Sequence, residues 1–360
     1  MKKIVSDWKK EIKIKAAVLE KLNSPLTIRD LEITELKIGQ VLIRVLVSGI
    51  CGSQLQEIRG FKGNEKFLPH LMGHEGCGIV EKIGPGVSRV KPGDKVVMHW
   101  RVGAGIEAEF PTYILDGKKI SSGKITTLSE FSIVSENRLT KVPQETPDHL
   151  CALLGCGLTT ALGVVNNEID LKFGESVAII GCGGVGLNLI QAACLGSAFP
   201  VIAIDLNENK RLLSLNVGAD YFINSSDESV REFFDKNLPL GKIDIAIDTT
   251  GNTQIIDEIS NLLSDSGRLI LVGQPKPGSH ISFSNATGLF GNKGKTIKTT
   301  QGGKTSPNED IIRYIKLYNA GKLNFEKVIT NVFSLDDVNL AISLLETGSA
   351  GRIIIDMRNK

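Results

Sequence analysis

At 360 residues the chain is too long for one ordinary hydrophobic core, so two domains are expected. Its 41% hydrophobic and 23% charged residues suit a globular protein, and a net charge of +2 with no dense basic face argues against a nucleic-acid or membrane-surface partner. No apolar run has the length of a membrane span, no apolar h-region follows the opening lysines, and six cysteines without framework spacing point to a reduced, cytoplasmic setting.

The lysine-rich start, MKKIVSDWKKEIKIK, reads as a solvated strand or arm. From about Lys15 to Pro143, β-rich runs (KAAVLE, QVLIRVLVSG, GCGIVEKIG, DKVVMHW, EFSIVS) alternate with glycine and proline turns, which predicts strands folded on one another in a compact domain. From about Leu158 the rhythm becomes strand, helix, strand: SVAII, GCGGVGLNLIQAACLG and PVIAID, then YFIN, IDIAID and RLILVG. That alternation predicts βαβ units and a parallel sheet covered on both faces. After about Thr300, DIIRYIKLYNAGKL has apolar residues at helical spacing and ends in glycine, and SLDDVNLAISLLETGSAGRIIIDM adds a second helix and a closing strand. The expectation is an α/β chain with a β-rich domain over 1–157, a doubly wound domain over 158–300, and a return to the first domain over 301–360.

GCGGVG carries the G-x-G-x-x-G pattern at Gly181, Gly183 and Gly186. It follows a buried-strand run, opens an apolar helix and leads to a strand ending in Asp205, which is the context a dinucleotide site requires. The first glycine allows the tight turn, the second lets the backbone approach a pyrophosphate, and the third lets helix and strand pack closely. The backbone from Gly181 to Gly186, with Gly184 and Val185, would face the phosphates at a helix N-terminus. Asp205 can accept both ribose hydroxyls of NAD and would repel the extra phosphate of NADP, and DLNENK brings no arginine to relieve that repulsion. A glycine-rich turn without a ligand is the bland alternative, and the full βαβ context speaks against it.

LMGHEGCGIV sets His74 and Glu75, two groups that are costly to bury, in an otherwise apolar stretch. A lone histidine of this kind is usually a satisfied core residue. Here Cys51 ends an apolar strand in SGICGSQ, and Cys156 stands in a similar glycine-flanked setting in LLGCGLTT. Two thiolates and one imidazole match a catalytic zinc, which keeps its fourth position open. The spacings are long, so convergence does not follow from them alone.

The motifs GHEGCGIVEKIGPGV, VSGICGS, KPGDKVV, GCGLTTALG, GCGGVG, AIDLNENK and GGKTSPNEDIIRYIKLYNAGKL together resemble the zinc-dependent medium-chain alcohol dehydrogenase family, from about residue 15 to the end. The second half is most similar to its glutathione-dependent formaldehyde dehydrogenase branch. The resemblance implies a GroES-like catalytic domain joined to a Rossmann cofactor domain, NAD and one zinc as cofactors, and a homodimer or homotetramer. It implies oxidation of an alcohol to an aldehyde or ketone, or the reverse, by hydride transfer to or from the nicotinamide. Cys51, His74 and Cys156 would hold the catalytic zinc, with Glu75 as a nearby carboxylate able to swap in as a ligand. Ser53 would take the substrate proton. Thr160 would contact the nicotinamide end, Lys210 would join Asp205 at the adenosine ribose, and Arg352 would meet the pyrophosphate. Metal charge would then compensate for burying His74 and Glu75. The rival readings are the zinc-free quinone or enoyl reductase branch, which lacks the ligands, and a non-enzymatic dinucleotide-binding protein, against which Ser53 speaks.

Three departures from the family stand out. The segment from Arg101 to Ser129 contains none of the four cysteines that bind a structural zinc in common members, which predicts one zinc per chain. Gln54 replaces an aspartate that orients the metal-binding histidine, and such changes can cost about 10–100-fold in metal affinity or activity. Gln56 replaces a histidine that finishes the proton relay, and glutamine cannot titrate. Trp100, in MHWR, aligns with the substrate cleft. With His99 and Arg101 beside it, it would favour a sugar, polyol or cyclitol, unless Trp100 is ordinary core and Arg101 surface. Cys77, Cys151, Cys182 and Cys194 read as small hydrophobes. His70, His149 and His280 have no partner legible in the sequence.

Overall fold

The computed structural model describes residues 13–63, 65–291 and 293–359, so the expected N-terminal arm through residue 12 lies outside the described residues. The chain divides into two compact units. One takes the residues up to 156 together with 332–343 and 353 onward, and the other takes 157–331 and 344–352. The first division falls beside the expected one, but 301–331 groups with the second unit.

The first unit begins with strands β1 (Lys13–Leu19), β2 (Thr27–Ile33) and β3 (Gln40–Ile50), then helix α1 (Gly52–Ile58). Strands β4 (His70–Leu71), β5 (Glu75–Ile83), β6 (Lys95–His99), β7 (Thr112–Leu115), β8 (Lys118–Ser121), β9 (Phe131–Ser135) and β10 (Leu139–Lys141) follow, and α2 (Asp148–Leu154) closes the run. The order β1-β2-β7-β8-β4 forms a closed barrel. Its interior is filled by alternate residues, Ile14, Ala16 and Val18 of β1 meeting Leu31, Tyr113 and Ile120, as the two-residue period of a strand dictates. Strands β7 and β8 were not foreseen. They join through Asp116 and Gly117, both at positive φ (49° and 74°), the backbone of a two-residue hairpin turn.

The second unit holds α3 (Gly157–Asn167), β11 (Val177–Ile180), α4 (Gly184–Leu195), β12 (Val201–Asp205), α5 (Lys210–Asn216), β13 (Tyr221–Asn224) and α6 (Val230–Asn237). It continues through β14 (Ile243–Asp248), α7 (Thr253–Leu262), β15 (Leu263–Leu271), β16 (Thr296–Thr299) and α8 (Pro307–Asn319). Its sheet runs β13-β12-β11-β14-β15-β16, all parallel. The buried runs VAII and VIAI fit strands covered on both faces. The order in which the chain adds strands reverses between β11 and β14, and ligands bind such sheets at the carboxyl ends beside that switch point. Helix α8 packs against α3, which is why 307–319 stays with this unit.

The chain ends with β17 (Ile329–Phe333), α9 (Val338–Glu346) and β18 (Arg352–Asp356). Strand β18 pairs antiparallel with β3, Ile353 opposite Ile50 and Asp356 opposite Val47, inside the sheet β10-β6-β5-β3-β18-β17 to which β9 also adds. Strand β3 is buried along almost its whole length, as a strand with neighbours on both edges should be. Among the described residues no single helix is long and apolar enough to cross a membrane.

Candidate metal and dinucleotide sites

Strand β3 delivers Cys51 to the start of α1, where its extended backbone (φ −119°, ψ 152°) caps the helix. His74 comes immediately before β5. Cys156 follows α2, and Gly155 ahead of it packs so closely that a Cβ there would collide with the Met98 carbonyl and lie 2.8 Å from Glu75 Cα. Only glycine lets the chain deliver the second sulfur at that point. One ligand atom each from Cys51, His74 and Cys156 then lie within 4.8 Å of one another. Tetrahedral zinc with sulfur and nitrogen ligands needs roughly 3.5–4 Å between ligand atoms, so the donor set and its spacing both fit that metal.

Burial opposes charge on the His74 ring, but its hydrogen bond with Cys51 and the nearby Cys51, Glu75 and Glu57 together raise it above the ordinary imidazole value. Ser53 Oγ lies 3.4 Å from both ring nitrogens. Gln54 is fully buried; its Oε1 accepts from the Cys51 N–H at 2.8 Å and its Nε2 lies 2.6 Å from His74 Nδ1. Nδ1 is thereby engaged, and Nε2 is the nitrogen left for a metal.

Glu75 is not one of the three residues whose ligand atoms converge. It opens β5 opposite His99, directly after His74 in the chain, and is fully buried. Its carboxylate acts on His74 through charge, from outside the ligand group.

In the second unit Gly181 stands at φ 88°, and a Cβ at Gly186 would collide with the Gly181 carbonyl oxygen. Gly183 caps α4 with no side-chain hydrogen bond, and the first helical turn carries no acidic residue. The backbone N–H groups there remain available to an anion. The Arg352 side chain lies over this turn, in contact with the positions a Cβ would take at Gly157 and Gly184. Asp205 Oδ2 accepts from the Cys182 N–H at 2.7 Å and Oδ1 from the Asn207 N–H at 2.9 Å. A cleft of about 350 Å³ is lined by Asp205 together with Gly181, Ile204, Ser225, Thr250 and Ile255. These residues fit a dinucleotide, with phosphates at α4 and the adenosine end beside Asp205. Arg211, just past the DLNENK run, is held by Glu208 and Glu228. Lys210 differs from expectation: it is buried, its ammonium donates to the Ala350 carbonyl, and it feels Asp205 through charge without lining the cleft. Thr160 is buried in α3.

Known proteins agree with this geometry. Residues 37–144 match the alcohol dehydrogenase GroES-like domain, and residues 184–320 match the zinc-binding dehydrogenase domain. An NDMA-dependent alcohol dehydrogenase of Amycolatopsis methanolica is 30% identical, over 96% of this chain and 99% of its own. An S-(hydroxymethyl)glutathione dehydrogenase of Escherichia coli is 31% identical, over 96% and 100%. The crystal structure of benzyl alcohol dehydrogenase from Acinetobacter calcoaceticus superposes with a TM-score of 0.86 at 26% identity, covering 96% of this chain and 99% of that one. The chain belongs to the zinc-dependent medium-chain alcohol dehydrogenase family. It is an NAD-linked oxidoreductase acting on CH–OH groups.

In this dehydrogenase the residues around Trp100 are engaged with one another and with the rest of the first unit. His99 is buried, its Nδ1 donates to the Arg101 carbonyl (2.8 Å), and its Nε2 meets the Thr140 hydroxyl (3.0 Å). Burial pushes its pKa down to about 4, so it is a neutral core histidine. Arg101 stacks over the half-buried Trp100 ring, 5.5 Å from its centroid. None of the three lines the cavity of about 470 Å³ that adjoins His74 within the first unit. That cavity is walled instead by Glu57, Phe67, His70 and Leu71 on one side and, on the other, by Phe110 and Ile125 from the segment that lacks the cysteine lobe. Sequence reasoning missed it, although Asp-Gly between TYIL and KKIS was a hairpin signal placing Ser121 and its neighbours beside β4.

Proposed function

We propose that Cys51, His74 and Cys156 hold the zinc of this dehydrogenase, that Ser53 takes the substrate hydroxyl proton, and that NAD rather than NADP receives the hydride. When bound, zinc supplies Lewis-acid stabilisation of negative charge on oxygen, and the nicotinamide supplies the hydride acceptor. Gln54 fixes the His74 ring from its Nδ1 side, leaving Nε2 toward the sulfurs. Ser53, one turn into the same helix start, is the hydroxyl nearest that ring and passes its proton on to water, because Gln56 cannot take it. Gly181 to Gly186 and Arg352 bind the pyrophosphate. Asp205 accepts the ribose hydroxyls and rejects a 2′-phosphate. The observation that carries the reading is the convergence of three soft-to-borderline ligand atoms within 4.8 Å, with a serine hydroxyl 3.4 Å from the ring.

Six cysteines outside any disulfide support a reduced, cytoplasmic location, and a homodimer or homotetramer is the assembly we expect. The test is NADH formation across aliphatic, aromatic, polyol, sugar and glutathione-adduct alcohols, with metal content measured on the same samples. Chelator-sensitive turnover with about one zinc per chain supports the reading. Undiminished turnover by fully metal-free protein sinks it.

A further inference from the structure

The cavity beside His74 says something about the substrate that the ligand set does not. Its volume of about 470 Å³ lies inside the ~300–1,000 Å³ range of small-molecule sites, and it touches a metal ligand directly. Leu71 and Ile125 form a buried apolar lining, whereas Phe67 and Phe110 also face it yet are 53% and 61% exposed. Two large rings left in water beside one apolar cavity mark surface that a ligand is meant to cover. Each ring has a lysine against it, Lys66 over Phe67 at 5.1 Å and Lys124 over Phe110 at 4.7 Å.

Besides Ser121 and His74, the four polar side chains in the wall already have partners within the protein. Ser122 Oγ donates to the Gly123 carbonyl (3.0 Å), Thr126 Oγ1 bonds Ser132 (3.4 Å), His70 Nδ1 donates to the Leu71 carbonyl (2.8 Å), and Glu57 is paired with Lys62 (3.2 Å). A polyol placed here would exchange water for surfaces that return few hydrogen bonds, whereas an aromatic ring would lose nothing polar.

We infer that this cavity seats the ring of an aryl alcohol, its carbinol group at the His74 end and its ring between Leu71, Ile125, Phe67 and Phe110. The inference rests on the proposed alcohol dehydrogenase centre and names its substrate class. The reaction is ArCH₂OH + NAD⁺ → ArCHO + NADH + H⁺: the carbinol C–H bond breaks with its electron pair going to the nicotinamide, and the O–H proton leaves through Ser53 to water. Half of the cavity lining comes from the segment between Arg101 and Ser129, so that segment is the specificity element of this chain.

The test is kcat/KM for benzyl alcohol, 1-hexanol, ethanol and sorbitol with the full-length zinc-loaded protein, repeated for Phe110→Ala and Ile125→Ser. Benzyl alcohol should exceed ethanol and hexanol by tenfold or more and sorbitol by a hundredfold or more. Each variant should lower the benzyl-to-ethanol ratio at least fivefold, and that ratio does not depend on the fraction of folded enzyme. Preference for sorbitol, hexanol equal to benzyl alcohol, or a ratio unmoved by both variants overturns the aryl assignment while leaving the dehydrogenase reading in place. No NADH from any alcohol overturns both.

Discussion

Gln54→Glu changes one heavy atom, from amide nitrogen to oxygen, and isolates what the departure from an acidic residue at this position costs. Two N–H groups face this side chain: the Cys51 amide, 2.8 Å from Oε1, and the His74 Nδ1 edge, 2.6 Å from Nε2. For His74 to offer a lone pair from Nε2 as a neutral ring, its proton must sit on Nδ1. Both neighbours are then donors, and a glutamine amide has one acceptor oxygen for the two of them. Whichever way the amide faces, one of its ends sets N–H against N–H, and Gln54 is too buried for water to relieve it. A buried donor without an acceptor costs about 1–3 kcal/mol, which at ~1.4 kcal/mol per tenfold weakens metal retention by roughly 5- to 100-fold. Glutamate accepts from both groups, and it is also the favoured residue three positions into a helix whose first turn lacks an acidic residue. The assay is zinc release to a chromogenic chelator by stopped flow, for the native protein, Gln54→Glu and Gln54→Leu, read without substrate. Gln54→Glu should slow release by tenfold or more, and Gln54→Leu should not. Equal release from native and Gln54→Glu proteins, within about threefold, would refute the donor–acceptor count.

Other perturbations probe the remaining parts of the site. Ser53→Ala should lower kcat by about 100-fold or more, in the range general acid–base groups contribute, while zinc content and NADH affinity hold; an unchanged kcat removes Ser53 from the proton path. Asp205→Ala removes the group proposed to accept the ribose hydroxyls and the anchor of the Cys182 and Asn207 amides, so NADH should bind about tenfold or more weaker and its advantage over NADPH should shrink, both measured by fluorescence titration. The folded pKa of His99, about 4, lies below its unfolded value of about 6.5, mainly through burial and partly through the Arg138 charge. Its stabilising contribution is therefore full above pH 6.5 and is lost as pH falls toward 4, about 2 kcal/mol between pH 7 and pH 5. Urea unfolding at those two pH values should show that loss in the native protein and about 2 kcal/mol less of it in His99→Asn; identical losses would mean that His99 is not the group responsible.

The parts of the site that were legible in the sequence are those whose chemistry is local. The glycine loop had to have small residues at fixed offsets, because the Gly181 carbonyl occupies the space of any side chain at 186. The parallel strands announced themselves because burial on both faces leaves no polar alternation in VAII or VIAI. The metal-ligand candidates were found as residue types in glycine-flanked turns, and only the structure brings them together. What escaped was whatever depends on facing. His99 seemed a cleft residue until the Arg101 carbonyl and the Thr140 hydroxyl accounted for both of its nitrogens. Lys210 has the right offset from Asp205, yet its stem is folded inward to the Ala350 carbonyl. The cavity was invisible for the same reason, since Phe67 and Phe110 carry no mutual spacing that a periodicity argument could detect.

The segment between Arg101 and Ser129 connects the metal question to the substrate question. A lobe held by a structural metal needs its cysteines because it has little sheet or core of its own. Here the same stretch of chain has both. Its β7 strand pairs with β2, Glu32 opposite Ile114 and Ile33 opposite Tyr113, and β8 reaches β4 at the pair His70 and Ser121. Tyr113 is wholly buried in the barrel, and its hydroxyl accepts the Ile133 N–H at 2.7 Å, tying the hairpin to β9 as well. Hydrogen-bonded edges and a buried aromatic ring thus tie this stretch to the barrel through protein contacts. Closing the barrel in this way has a second consequence. It carries Phe110 and Ile125 to the cavity beside His74, so the segment that lacks the four cysteines also shapes that cavity.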